Sequence, residues 1–180
     1  MKDPGVLELN YSMNYSARFW IDHLQLTHHI EGGSFREVYR SSIIAEPSSL
    51  PSAFNGPRNF CTSIYFLLEQ GQFSAFHKIH SDETWHFYTG HSLLIYEINE
   101  QGNLLTHRLG KNPAKGESFQ CVIKAGNWFA SVVEEGGTYA LVGCTVSPGF
   151  DFNDFELADR TALSNQYPQY SSLIHQLTRT

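Results

Sequence analysis

The amino-acid sequence predicts a single all-β domain, an antiparallel sandwich or barrel with a short helix before it and helical segments after it. Three observations carry this. From Ser34 to Val146 the chain passes through about nine short segments of strand character: "SFREVYRSSIIA", "NFCTSIYFLLE", "FSAFHKI", "ETWHFYT", "HSLLIYEIN", "NLLTHRLG", "FQCVIKA", "WFASVVE" and "TYALVGCTV". The breaks between them carry turn residues, as in Glu69-Gln70-Gly71-Gln72, Gln101-Gly102-Asn103, Ala125-Gly126-Asn127 and Glu135-Gly136-Gly137. No helical stretch separates one strand from the next, which argues against a parallel α/β sheet.

The elements follow in order. The polar N-terminus, residues 1–15, is expected to be an arm. In "SARFWIDHLQL", Ser16 is a suitable N-cap and Ala17, Trp20, Ile21 and Leu24 recur at helical spacing. Gly32-Gly33 in "HHIEGG" permits a tight turn that feeds the first strand. There, strict alternation places Phe35, Glu37, Tyr39 and Ser41 on one face and Arg36, Val38, Arg40 and Ser42 on the other. A Pro/Ser/Gly loop over residues 46–57 precedes the main strand run, so the barrel is expected over about 34–147. The remainder, 148–180, reads as an extension of helical segments, with Pro168 suited to a first turn and Leu173, Ile174 and Leu177 on one stripe.

Composition limits the function classes. A chain of 180 residues supports one well-buried core, and 41% hydrophobic with 14% aromatic residues is far from a disordered composition. The net charge of -6 gives no basic surface for a row of phosphates, which excludes nucleic acid and an anionic membrane as expected partners. Cys61, Cys121 and Cys144 are odd in number and widely spaced, and read as buried structural thiols. No apolar run is long enough to cross a bilayer and no apolar signal core opens the chain, so a reducing, cytoplasmic setting is expected.

The chemistry concentrates in "FHKIHSDETWHFYTG", which gathers His77, His80 and His86 around Asp82 and Glu83. The stretch resembles the first motif of the cupin superfamily: His77 follows Gly71 after five residues, and six residues separate Glu83 from Gly90. The departures are specific. The second motif histidine falls on Ile79, and in "KAGNWFASVV" Lys124, Phe129 and Val133 stand for the Pro, His and Asn of the second motif. A narrower resemblance covers nearly the whole chain. "HHIEGGSFREVYRS", "DETWHFYTG", "AGNWFAS" and "VSPGFDFNDFELADR" resemble, in order, the motifs of an uncharacterised one-barrel subfamily, the fifth cupin family, with Ile30 in place of the signature's Pro. This implies a cupin-type double-stranded β-helix, or jelly-roll, barrel with a small-molecule pocket, commonly as a homodimer.

Alternatives stay open at the site. A divalent metal needs three or four convergent donors; His77 and Glu83 are in register, and a third would have to come from His80 or His29. The favoured reading is metal-free. Resemblance to the metal-independent sugar-nucleotide epimerases among cupins implies His77 as base and a tyrosine as acid, and the residues offer Glu83 as the partner of His77. The tyrosine is drawn from Tyr65, Tyr88 and Tyr96, with Tyr88 the candidate. Glu31 and Arg36 are expected at the pocket mouth, Arg36 as a forked donor to a carboxylate or phosphate. Tyr65, Trp85 and Phe129 are candidate ligand contacts, and Phe129, at a metal-histidine position, makes the floor apolar. The expected ligand is carbohydrate-like or anionic, to be isomerised, epimerised or hydrolysed; a non-enzymatic binding or sensing protein and a metal-dependent oxygenase or isomerase are the alternatives.

Overall fold

The computed structural model describes residues 15–179, so the expected arm lies, apart from Tyr15, outside the described residues. Helix α1 (Ala17–Leu24) is followed by strands β1 (Thr27–His28), β2 (Ser34–Arg40), β3 (Ile44–Ala45), β4 (Arg58–Asn59), β5 (Thr62–Glu69), β6 (Phe73–Ile79) and β7 (Asp82–Gly90). Strands β8 (Leu93–Ile98), β9 (Leu104–Leu109), β10 (Gln120–Ile123), β11 (Trp128–Val133), β12 (Tyr139–Ser147) and β13 (Phe155–Leu157) come next, then α2 (Arg160–Gln166) and α3 (Ser171–Gln176). One sheet has the order β1-β2-β5-β12-β7-β10 and the other β13-β6-β11-β8-β9; β3 and β4 form a separate pair. The two sheets face one another in a jelly-roll arrangement and do not close, so the architecture is the expected all-β one in its sandwich form.

Alternation explains which side chains meet. On β7, Trp85 and Phe87 point between the sheets with Glu83, and they pack there with Phe66, Leu68, Ile95, Ile123 and Phe129. The outer face of the second sheet offers Phe76, Ile98 and Trp128 to Leu163, Ile174 and Leu177, so the C-terminal helices form because an apolar sheet face needs covering. Helix α1 does the same for Leu67 and Leu141 of the first sheet, and the Ser16 hydroxyl caps it by accepting from the Phe19 N–H at 3.2 Å.

Two expectations are corrected. The pairing of β2 with β5 runs Phe35↔Phe66 and Glu37↔Ile64, then shifts to Tyr39↔Ser63 and Arg40↔Thr62. This bulge at Val38 reverses the alternation, so Glu37 and Arg40 share the inner face instead of opposing one another. The region after 147, expected to be only helical, also returns to the sandwich: β13 pairs with β6, and the segment before it is pinned by the Phe150 N–H donating to Thr62 Oγ1 at 2.9 Å. Of the cysteines, Cys144 is buried while Cys61 and Cys121 are half-buried, and all three are free.

The strongest clamp on that returning segment is a fork between Arg58 and Asp154. Arg58 Nε and Nη2 each donate to an Asp154 oxygen at 2.6 Å, with both side chains 4% exposed. Asp154→Asn removes one charge and leaves the other buried. A stability loss of about 3 kcal/mol is expected, read as a shifted denaturant midpoint. An unchanged midpoint would contradict the clamp.

Candidate functional site

A cavity of about 300 Å³ opens between the sheets. His77 from β6, Glu83 from β7 and His29 and Glu31 from the β1–β2 turn supply its polar lining, with Phe35, Ile64, Ile79 and Val146 as apolar walls. Glu37, Arg40, Asp151 and Phe152 also face it.

Backbone geometry puts Glu31 there. Gly32 and Gly33 have φ of +119° and +73°, and a Cβ on Gly33 would stand 2.7 Å from the Leu67 carbonyl oxygen. His29 N–H donates to the Gly33 carbonyl at 3.0 Å, closing the turn. The Glu31 carbonyl then accepts from the Ala75 N–H and from Arg179 Nη2, both at 2.9 Å. The side chain is thereby delivered to β6, where its Oε2 lies 2.9 Å from His77 Nε2.

Hydrogen bonding fixes where the protons are. His77 Nδ1 lies 2.7 Å from the Ala75 carbonyl oxygen, which can only accept, so Nδ1 carries a hydrogen. The 2.9 Å contact between Nε2 and Glu31 also needs a proton, which gives either an imidazolium facing a carboxylate or a neutral pair sharing the same hydrogen. Two opposing influences decide between them. Burial drives His77 down, but the charge and hydrogen bond of Glu31, then the charge of Glu83 and the Ala75 carbonyl, leave it above its ordinary value. Burial drives Glu31 up, but the charge and hydrogen bond of His77, aided by His29 and Ser74, leave it below. Both shifts favour the ion pair. His29 Nδ1 accepts from the Glu31 N–H at 3.3 Å, and burial, against the pull of Glu31 and with the push of His77 and His28, holds its pKa low; it is neutral, with its hydrogen on Nε2.

Glu83 is the titrating group. It is 7% exposed and makes no ion pair among the described residues. Burial pushes its carboxyl up to about 7; His77 pulls it down, Glu31 pushes it up, and the Cys144 thiol and Trp85 favour the charged form. The Trp85 indole N–H falls short of hydrogen-bond geometry and remains a buried donor without a partner, so its help is weak. The Cys144 thiol is held well above its ordinary value by burial and by Glu83 and Glu31, so it stays protonated beside the carboxylate.

The expected site residues separate. His77, Glu83 and Glu31 meet at the cavity, but the partner of His77 is Glu31, not Glu83. With both ring nitrogens engaged, His77 has none free to act as the substrate-facing base. Phe129 lies against His77 with ring centroids 4.1 Å apart and the planes tilted by 56°, and Trp85 is buried behind it in the core. Tyr65 and Tyr88 pair with each other on the outer face of the first sheet, where Tyr88 is 49% exposed, so the acid role does not reach them. Tyr96 packs under the C-terminal helices. Arg36 also points outward, donating to the Leu24 carbonyl and to Gln25 Oε1. His80 leans away to Asp154 at 3.5 Å and to the Phe54 ring. The sequence reading missed Arg40, hidden by the bulge, and Asp151 and Phe152, whose approach depends on the returning C-terminal segment.

The donor set does not fit the metal that the cupin resemblance implies. A closed site needs ring nitrogens turned to one point. Both nitrogens of His77 are used, Phe129 occupies a metal-histidine position, and His80 lies elsewhere. Among the described residues no group of three or more His, Cys, Asp or Glu is arranged to hold a metal ion.

A pH dependence follows from Glu83. Its folded pKa, about 7, is raised above the ordinary 4.5, so the fold favours the protonated form. That contribution is complete below about 4.5 and is lost as pH rises through about 7. Glu83→Gln removes the loss: between those limits its unfolding free energy should gain on the parent chain by about 3 kcal/mol. A difference that stays flat with pH contradicts the assignment.

Comparison with known proteins agrees with this architecture. Residues 18–158 match the family model Cupin_5, described as Cupin superfamily (DUF985). The uncharacterised protein YML079W of Saccharomyces cerevisiae is 32% identical, over 74% of this chain and 71% of that one. Among solved structures, protein SO0799 from Shewanella oneidensis is 42% identical with a TM-score of 0.82, covering 92% of this chain and 98% of its own. A hypothetical protein from Leishmania major is 33% identical with a TM-score of 0.83, covering 92% and 100%. Oxalate decarboxylase from Bacillus subtilis, at 16% identity and a TM-score of 0.50 over 83% of this chain and 36% of its own, shares the fold alone. With its matched span covering most of the sandwich and its cavity, this chain belongs to the Cupin_5 family of the cupin superfamily.

Proposed function

We propose that this cupin binds a small organic molecule in the cavity and moves a proton on it without a metal, with Glu83 as the acid and base. One observation carries the reading: a carboxyl 7% exposed, without an ion-pair partner among the described residues, titrates near neutrality on the wall of a ligand-sized cavity. In its ionised form Glu83 takes a proton from an acidified C–H or O–H of the ligand; the proton rests on the carboxyl and is returned at the same or a neighbouring atom, which amounts to isomerisation or epimerisation. The His77–Glu31 pair acts on Glu83 in both directions, His77 favouring the ionised form and Glu31 the protonated one. Neutral His29, carrying its hydrogen on Nε2, is a second donor lining the same cavity.

Two further assignments accompany it. Beyond its short pairing with β1, strand β2 has β5 on one side only, and Val38 and Tyr39 are 47% and 55% exposed along that edge. Pairing with a second copy of the chain covers such an edge, which supports a homodimer; a monomer mass by light scattering at high concentration would contradict it. The three free cysteines support a reducing, cytoplasmic setting, and no helix among the described residues is long and apolar enough to cross a membrane.

Solvent exchange tests the proton transfer. Small molecules that raise the melting temperature are incubated with the protein in deuterated water and followed by proton NMR. Loss of one ligand C–H signal is expected, with a rate that rises as pH passes about 7 and levels off once Glu83 is ionised. Any ligand that Glu83→Gln still binds should not exchange. Ligands that bind and never exchange would leave a binding protein in place of an enzyme.

A further inference from the structure

The charges around the cavity are unevenly matched. Arg40 faces it, but its Nε and Nη2 donate to Glu37 at 3.0 and 2.6 Å, and its Nη1 donates to Asn59 Oδ1 and the Phe150 carbonyl. His77 has both N–H groups committed to Ala75 and Glu31. Arg58, behind the same wall, is chelated by Asp154. Arg40 thus spends its fork on Glu37 and keeps a single Nη2 hydrogen unassigned, and His77 keeps none, so no cation of this cavity offers a forked donor to an anion. The carboxylates are different. Asp151 accepts the Asn153 N–H at 2.9 Å and acts on Arg40 and Arg58 through its charge, without a direct ion pair to either among the described residues, while Glu83 makes no ion pair there and is more than nine-tenths buried.

The apolar side of the cavity is equally one-sided. Phe150, Phe152 and Phe155 form a triangle with ring centroids 5.1–6.2 Å apart, and Phe155 continues the row to His77 at 5.4 Å. Phe152 is 60% exposed at that edge, an arrangement that burial in the free protein does not explain. Aromatic faces beside a buried carboxylate that has no direct ion pair attract ammonium groups through the ring quadrupole and through charge together.

We propose that the cavity selects a small organic cation, an amine-bearing molecule whose ammonium group is matched by Glu83 and whose carbon frame lies against the Phe150, Phe152 and Phe155 rings. This rests on the reading of the cavity as the functional site, and replaces the anionic ligand expected from Arg36, which points away. Binding of such a cation stabilises the ionised form of Glu83. The other titratable groups facing that carboxyl, His77, Glu31 and Cys144, keep their protonation, and Cys121 stays a neutral thiol. Cation binding therefore releases the proton from those Glu83 carboxyls that still carry it, about half a proton per cation at pH 7.

The test is calorimetric titration of the natural chain with a matched series of alkyl- and arylamines, the corresponding alcohols and the corresponding carboxylates. Each titration is repeated in two buffers of different ionisation enthalpy. Amines are expected to bind best, with net proton release, and to weaken about tenfold or more in Glu83→Gln, with a smaller loss in Asp151→Asn. Melting temperatures confirm that both variants fold. Failure of the amines to bind, tighter binding of alcohols or carboxylates, or amine affinity unmoved in both variants overturns the proposal. Deuterium exchange into the ligand separates the two readings. Exchange with a neutral or anionic ligand leaves proton transfer standing and removes cation selection, and cation binding without exchange does the reverse.

Discussion

A buried imidazole and carboxylate, His77 and Glu31, hold this site together. Residue Ala75 organises both halves of the contact: its N–H binds the Glu31 carbonyl at 2.9 Å, and its carbonyl accepts from His77 Nδ1 at 2.7 Å. Since Glu31 sits in the turn that enters the first sheet and His77 on β6 of the second, the pair spans the sandwich. Such a pair is a poor source of stability, because desolvating both ions offsets most of their attraction. Its place in the lining of the cavity sets its field on the neighbouring Glu83.

Burial first, and that field second, set the behaviour of Glu83. The imidazolium draws its pKa down and the Glu31 carboxylate pushes it up, on top of a larger push from burial, and the balance falls at about 7. Three ionisable groups thus share protons so that one is locked positive, one locked negative and one left free to titrate. The ring of Phe129, at the position the cupin motif gives to a metal-binding histidine, puts an apolar group against His77 instead.

Much of the fold was legible from the sequence because alternation and turn glycines are local signals. The face of each β7 residue follows from counting by two, and so does the outward position of Tyr88, which conflicts with using it as the acid. The Gly32-Gly33 turn was readable for the same reason. What escaped has no local signature. The bulge at Val38 inserts one unpaired residue into a sequence that alternates cleanly, and so moves Arg40 to the inner face. Spacing along the chain also misassigned the partner of His77: Glu83 is six positions away and Glu31 forty-six, yet the 2.9 Å contact is to Glu31. Asp151 and Phe152 reach the site only because the C-terminal segment folds back, held by Asp154, which bonds Arg58 across 96 positions.

The central claim is that His77 is a cation held by Glu31 inside the sandwich. Two-bond proton–nitrogen NMR of the histidine rings, with the His77 signals assigned by their loss in His77→Gln, reads that state directly. Hydrogens on both ring nitrogens are expected at neutral pH, persisting above the ordinary histidine value of 6.5. A neutral ring at that pH, with Nε2 unprotonated, would contradict the claim and return the shared proton to Glu31.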